Sequence, residues 1–213
     1  MSGTKHLLDP ELRAMADGPF LKDLDDTKVA RARQVMADQV PPLGDPKSHG
    51  LERKEIFIPQ DNAPNVRGLL YCADGGPKES PTAAYLHIHG GGYLFGSPEG
   101  SDPMNLHIAK ELGVVVLSVD YRLAPEHPIP APLDDCYAAL AWLHENAADL
   151  GVDRNRIGIG GESAGGGLAA ALAIKARDAG EYAICWQALT YPMLDDRTGN
   201  SENPGDPLVG EFV

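Results

Sequence analysis

Apolar residues fall along this chain in two rhythms, and their order sketches an architecture. Runs with strand character occupy residues 52–58, 66–72, 82–89, 114–119, 156–160 and 183–190. Helical spacing fills the gaps. Residues 26–39 set Val29, Ala32, Arg33 and Met36 on one half-apolar face, and Val40-Pro41-Pro42-Leu43-Gly44 ends that pattern. Ser101-Asp102-Pro103 opens a second helix that Gly113 closes. Residues 133–150 form a third, with Trp142 and Leu143 on its apolar side, and residues 163–179 a fourth. The run 114–119 is apolar without alternation, the pattern of a strand buried on both faces of a parallel sheet. Strands 52–58 and 66–72, separated by a Pro/Asn/Asp turn, read as an antiparallel pair. From residue 82 onward strand and helix alternate, which predicts an α/β fold with a mostly parallel central sheet. Asp9-Pro10-Glu11 marks a further helix start, and the stretch from Tyr191, with Asp195, Asp196, Gly199, Asn200, Pro204 and Pro207, reads as loop.

Composition narrows the class. At 213 residues, 43% hydrophobic and 23% charged, the chain has the make-up of an ordinary water-soluble domain with one sizeable core. It carries 18 Lys+Arg against 31 Asp+Glu, a net charge of −13, with the cations scattered. That balance argues against a nucleic-acid groove or an anionic membrane surface as partner. Cys72, Cys136 and Cys185 stand far apart without Cys-x-x-Cys spacing, which fits buried thiols in a reducing compartment. No signal-like or membrane-spanning apolar run is visible, so the expected location is cytoplasmic.

The candidate chemistry begins at Gly161-Glu162-Ser163-Ala164-Gly165, between strand 156–160 and the helix that follows. A serine raised on a tight strand-to-helix turn crowds its neighbours, so glycines at minus two and plus two are a steric requirement. The helix also aims its first N–H groups at the reacting oxygen. A glycine-rich turn with an incidental serine is the plainer alternative. A dinucleotide site is weak: Gly158-x-Gly160-x-x-Ser163 has serine where the third glycine belongs, and no acidic ribose partner follows. No Gly-Lys-Ser/Thr follows the glycines, so a Walker A loop is excluded.

A second glycine run, His89-Gly90-Gly91-Gly92, leaves a strand directly. The N–H groups of Gly91 and Gly92, with that of Ala164, can surround a carbonyl oxygen that is becoming an oxyanion. His89 precedes these donors and fits a loop-holding role better than that of catalytic base. His87 and His89 have metal-ligand spacing, yet no carboxylate or cysteine cluster accompanies them, and both read as structural. His6, His49, His107, His127 and His144 show no motif and read as surface or cap residues.

Three ordered motifs, His89-Gly90-Gly91-Gly92, Asp120-Tyr121-Arg122-Leu123-Ala124-Pro125-Glu126-His127-Pro128 and Gly161-Glu162-Ser163-Ala164-Gly165-Gly166, make the chain resemble the bacterial hormone-sensitive-lipase-type (family IV) carboxylesterases over residues 45–195. The resemblance implies the α/β-hydrolase fold and cofactor-free, metal-free hydrolysis of short-to-medium acyl esters. It makes Ser163 the nucleophile and Gly91, Gly92 and Ala164 the oxyanion donors, with His89, Gly90, Gly161, Glu162 and Gly165 in support. Glu162 stands where the family often has aspartate. Asp120–Pro128 becomes architecture beside the site. The domain reading is residues 1–45 as N-terminal cap helices, 46–192 as a partial hydrolase core, and 193–213 as the start of a second cap segment or loop.

In this fold the triad runs Ser, then Asp or Glu, then His. No histidine follows Ser163. Asp206-Pro207-Leu208 resembles the family's acid motif but comes too early, and Asp195 and Asp196 read as loop carboxylates. The expectation is therefore a piece of an enzyme, truncated before its last strands, with Asp and His supplied from outside these residues. A C-terminal fragment or a second copy of the chain would then be the partner, and strand 183–190 an open apolar edge. The rival function is a non-catalytic small-molecule-binding relative, receptor-like, with an incomplete triad. A peptidase on the same fold is the third.

Overall fold

A computed structural model of the chain describes residues 9–11, 26–76 and 80–197. The expected helix after Asp9-Pro10-Glu11, His6 and the Asp206-Pro207-Leu208 motif lie outside the described residues. The chain divides into two compact units, Ala32–Leu194 and a second comprising Met1–Arg31 with Asp195–Val213. The larger unit holds the sheet.

Six strands form one sheet: β1 (Leu51–Ile58), β2 (Val66–Ala73), β3 (Thr82–Ile88), β4 (Val115–Asp120), β5 (Val152–Glu162) and β6 (Trp186–Thr190), in the order β1-β2-β4-β3-β5-β6. β2 runs antiparallel to both β1 and β4, and the pairs β4–β3, β3–β5 and β5–β6 are parallel. The helices are α1 (Asp26–Gln39), α2 (Asp102–Leu112), α3 (Ala131–Glu145) and α4 (Ala164–Ala179). The antiparallel opening pair and the mostly parallel sheet agree with the sequence reading. β5 begins four residues earlier than expected. Its first turn, Asp153-Arg154-Asn155-Arg156, is polar and exposed and carries no strand-like alternation.

The sheet is covered on both faces, and alternation along its strands divides the residues between two cores. Leu69 and Tyr71 of β2 and Val116 of β4 pack with Leu106 and Ala109 of α2 on one side. On the other, Leu70, Val115, Leu117 and Val119 pack with Ala139, Leu140 and Leu143 of α3 and Leu168 and Leu172 of α4. This two-sided burial is why β4 reads as an unbroken apolar run.

Two expectations need correction. His144 is buried rather than superficial, because helical periodicity sets it beside Leu140 and Leu143, and its Nε2 bonds Ala183 O at 2.9 Å. Of the three thiols only Cys136 is fully buried. Cys72 is half-buried, and Cys185, just ahead of the edge strand β6, is exposed. Trp186 on that edge is 57% exposed and rests against Gly158 and the Tyr85 ring.

The connections fix where a site forms. From β3 the chain crosses through α2 to β4 on one side, and then through α3 to β5 on the other side of β3. The loops leaving β3 and β5 therefore diverge at a topological switch point, where a crevice opens outside the carboxyl ends of the strands.

Candidate active site

The glycine run and Ser163 are the two loops at that crevice. Ser163 follows β5 and stands at the N-cap of α4 with φ 54° and ψ −117°, a conformation an L-residue adopts only at a cost of about 1–3 kcal/mol. Three backbone hydrogen bonds hold it there. Its N–H donates to Thr190 O at 2.9 Å, and its carbonyl accepts from the N–H groups of Gly167 and Met193, each at 3.0 Å. Its hydroxyl does not cap the helix. Among the described residues no hydrogen bond engages that hydroxyl.

Close approach explains the two flanking glycines. A methyl built on Gly161 would stand 2.1 Å from Ile88 O, and one on Gly165 2.0 Å from Ile88 O and 2.5 Å from His89 O. The elbow is thus pressed against the end of β3, the same segment that launches the glycine run. A methyl on Gly90 would meet Glu162 O at 2.9 Å and Ser163 Cβ at 3.5 Å. Gly90, Gly161, Glu162, Ser163, Ala164 and Gly165 are therefore neighbours in space as well as in the expectation.

Gly91 has φ 125°, and its carbonyl accepts from the N–H groups of Leu94 (3.1 Å) and Phe95 (2.9 Å). That turn directs the carbonyl into the loop. Among the described residues, the N–H groups of Gly91, Gly92 and Ala164 donate to no other backbone group, as befits a glycine turn and the first residue of a helix.

His89 belongs to the loop's scaffold. It is 2% exposed, its ring stacks on Tyr121 (centroids 4.2 Å, 14°), and Tyr121 OH donates to His89 O at 2.9 Å. Its Nδ1–H donates to Gly90 O at 2.8 Å, since a carbonyl can only accept. Burial, opposed by the Gly90 bond, pulls its pKa from 6.5 to about 4. His89 is thus neutral at pH 7, and its proton is committed to the loop. Above pH 6.5 the ring is neutral in folded and unfolded chains alike. As pH falls from 6.5 toward 4 only the unfolded chain takes up the proton, so stability is lost across that window, on the order of 3 kcal/mol in all. Urea midpoints measured between pH 7 and pH 4 are expected to fall less steeply for His89→Gln than for the parent protein; equal slopes would contradict this.

Glu162 and His87 form a second supporting pair. His87 Nε2 lies 3.2 Å from Glu162 Oε2, and its Nδ1 lies 2.9 Å from Ser118 Oγ and 3.2 Å from Asn105 Nδ2. Burial raises the Glu162 carboxyl, but the hydrogen bond and electrostatic pull of His87 outweigh it and leave the group below its ordinary value. The chain Glu162–His87–Ser118 thereby ties the end of β5 through β3 to β4. Among the described residues no group of three His, Cys, Asp or Glu is placed to hold a metal ion.

Ion pairs anchor the Asp120–Pro128 segment. Asp120 Oδ2 accepts from Arg67 at 2.8 Å, and Arg67 also bonds Glu55 and Glu99. Arg122 pairs with buried Asp135 through both carboxylate oxygens. Asp195 is engaged by Arg197. Arg33 of α1, which its spacing places only on a half-apolar helix face, bonds the loops after β3 and β4. A cation on a half-apolar helix face carries no mark of partners 61 to 93 residues away.

Comparison with known proteins agrees with this geometry. A family model described as α/β hydrolase fold matches residues 85–210. Carboxylesterase NlhH of Mycobacterium tuberculosis is 38% identical over 211 residues, covering 97% of this chain and 64% of that protein. An arylesterase of Saccharolobus solfataricus is 32% identical over 180 residues, 80% of this chain and 55% of that one. Among solved structures, a bacterial heroin esterase superposes with a TM-score of 0.78 at 40% identity, covering 91% of this chain and 61% of that one. The chain thus spans somewhat under two thirds of the length of these relatives. Among the described residues no helix is long and apolar enough to cross a membrane. Matched by the family model over more than half of its length, the chain belongs to the α/β hydrolase fold family.

Proposed function

We propose that the protein is a serine carboxylesterase acting on short-to-medium acyl esters. The observation that carries this reading is Ser163, held at φ 54° at the N-terminus of α4 and against Gly90 of the β3 loop, whose Gly91 and Gly92 N–H groups donate to no backbone group among the described residues. Ser163 Oγ attacks the ester carbonyl as a base removes its proton. The carbonyl π pair moves onto oxygen, and the resulting oxyanion accepts hydrogen bonds from Gly91, Gly92 and Ala164. Collapse re-forms the carbonyl, breaks the bond to the alkoxy group and passes the proton to the departing alcohol. Water, activated by the same base, then releases the acid and restores Ser163.

The base and its orienting carboxylate are proposed to come from outside these 213 residues. The buried histidines are poorly placed for that role: His89 donates its Nδ1–H to Gly90 O and encloses its Nε2, His87 is engaged by Glu162 and Ser118, and His144 Nε2 bonds Ala183 O. The relatives' names, carboxylesterase and arylesterase, support the ester class over the receptor-like reading. Hydrolysis of p-nitrophenyl esters by the protein as its gene encodes it tests this. The expected result is kcat/KM at least 100-fold higher for butyrate than for palmitate, unchanged by EDTA. Loss of turnover on chelation would overturn the metal-free mechanism.

A further inference from the structure

Arg33 lies in α1, away from the sheet in sequence, yet its guanidinium makes four hydrogen bonds to two loops at the crevice. Nε–H donates to Leu94 O at 2.7 Å. One Nη2–H donates to Ala124 O, and Nη1–H and Nη2–H grip Glu126 Oε1 and Oε2 at 2.8 and 3.0 Å. The two carbonyls belong to turns already joined to each other, since Ala124 N–H donates to Tyr93 O at 2.9 Å.

Every carbonyl from Gly91 to Leu94 save that of Gly92 is therefore held from outside its own peptide. Gly91 O accepts from Leu94 and Phe95, Tyr93 O from Ala124, and Leu94 O from Arg33. A peptide plane turned by its carbonyl also aims the N–H of the next residue. Fixing Leu94 O fixes the plane whose partner amide closes the Gly91 turn, and that turn orients the N–H groups of Gly91 and Gly92.

The Arg33 side chain is 27% exposed and Glu126 56% exposed. An ion pair that open contributes little to global stability. A planar fork serving two carbonyls and a carboxylate in fixed directions is better suited to holding geometry, and lysine has no equivalent fork.

We infer that Arg33 is a positioning residue for the oxyanion loop, so that the C-terminal half of α1 sets the aim of the Gly91 and Gly92 donors. This rests on the reading of those glycines as oxyanion donors, and two independent readouts separate the two claims. The first is hydrogen exchange of the full protein. In Arg33→Ala the Leu94 and Phe95 amides, which bond Gly91 O, are expected to exchange at least tenfold faster while those of β4 are unchanged, and Ser163→Ala leaves both unchanged.

The second readout is p-nitrophenyl butyrate kinetics. Loss of a whole oxyanion donor costs about 10²–10³ in rate, so a loosened pair is expected to lower kcat by about 10- to 100-fold. KM stays within twofold, ethylguanidinium in the buffer restores part of kcat to Arg33→Ala, and Arg33→Lys remains at least fivefold down. Unchanged loop exchange, or kcat within twofold of the parent, in a folded variant overturns the inference. Should Arg33→Ala not fold, Arg33→Lys carries both readouts with the same criteria, a fivefold fall in kcat included. Hydrolysis that survives Ser163→Ala would instead remove Ser163 as the nucleophile, and the exchange result would still decide the role of Arg33.

Discussion

Ser163→Ala is expected to remove p-nitrophenyl butyrate turnover by about 10⁵–10⁶-fold while leaving the fold intact. The size follows from what the hydroxyl does. Removing a serine nucleophile eliminates the acyl-enzyme path, and only binding and the oxyanion hole remain, worth about 10³–10⁴ over water. The fold survives because the Ser163 hydroxyl caps no helix, and the bonds fixing this residue are made by its backbone N–H and carbonyl. An alanine keeps all three, and its Cβ occupies the position of the serine Cβ. Melting temperatures of the two proteins should agree within about 2 °C, a stability change near 0.5 kcal/mol for a chain of this length. A variant that retains more than 1% of turnover would remove Ser163 from the mechanism.

Gly165→Ala is expected to have the largest effect on stability. The added methyl would sit 2.0 Å from Ile88 O, 2.5 Å from His89 O and 2.7 Å from Ile88 C, all main-chain atoms at the end of β3. Those atoms cannot retreat freely, because Ile88 pairs with both Val119 of β4 and Gly161 of β5. Either α4 or the β3–β5 ladder must shift. Overpacking of this kind costs about 3 kcal/mol or more, which in a chain of this size lowers Tm by roughly 6–12 °C. Gly100→Ala is the control: a methyl there meets nothing within 4 Å, and Tm should move by less than about 2 °C. Equal shifts in the two variants would show that the elbow is not pressed against β3.

The legible parts of this molecule are those whose physics is local. β4 and α2 were readable to within about a residue, since Val115–Val119 are buried on both faces and Gly113 closes α2 in the left-handed region. The elbow and the glycine run were legible because steric necessity leaves glycine little alternative at Gly161, Gly165 and Gly91. The start of β5 was hidden by its exposed polar turn. The helix expected to reach residue 150 stops at Glu145, although Ala147 stays buried, so apolar spacing continued where helical bonding had ended. Strand β6 was expected from residue 183 but begins at Trp186, because Ala183 O accepts from His144 and Cys185 N–H bonds Ile157 O before the regular ladder starts.

Supporting groups were harder to read. Arg33 and Arg67 act through partners that only the folded chain brings near, and a lone cation has no spacing to betray them. Glu162 was recognised from its place beside Ser163, but its bond to His87 was not. His87 and His89 are buried, with His89 bonded to Gly90 O and stacked on Tyr121. His144, without a motif to mark it, is buried one turn after Leu140 on the apolar side of α3.

Ser163 is proposed as the activated nucleophile of this chain. Its most direct measurement is the site of covalent attachment when the protein, as its gene encodes it, is treated with a fluorophosphonate and its peptides are mapped by mass. One stoichiometric adduct is expected, on Ser163, formed at a rate that falls at least a hundredfold when the protein is denatured beforehand. Labelling at another residue, or no adduct on a folded protein that still hydrolyses p-nitrophenyl butyrate, would contradict it.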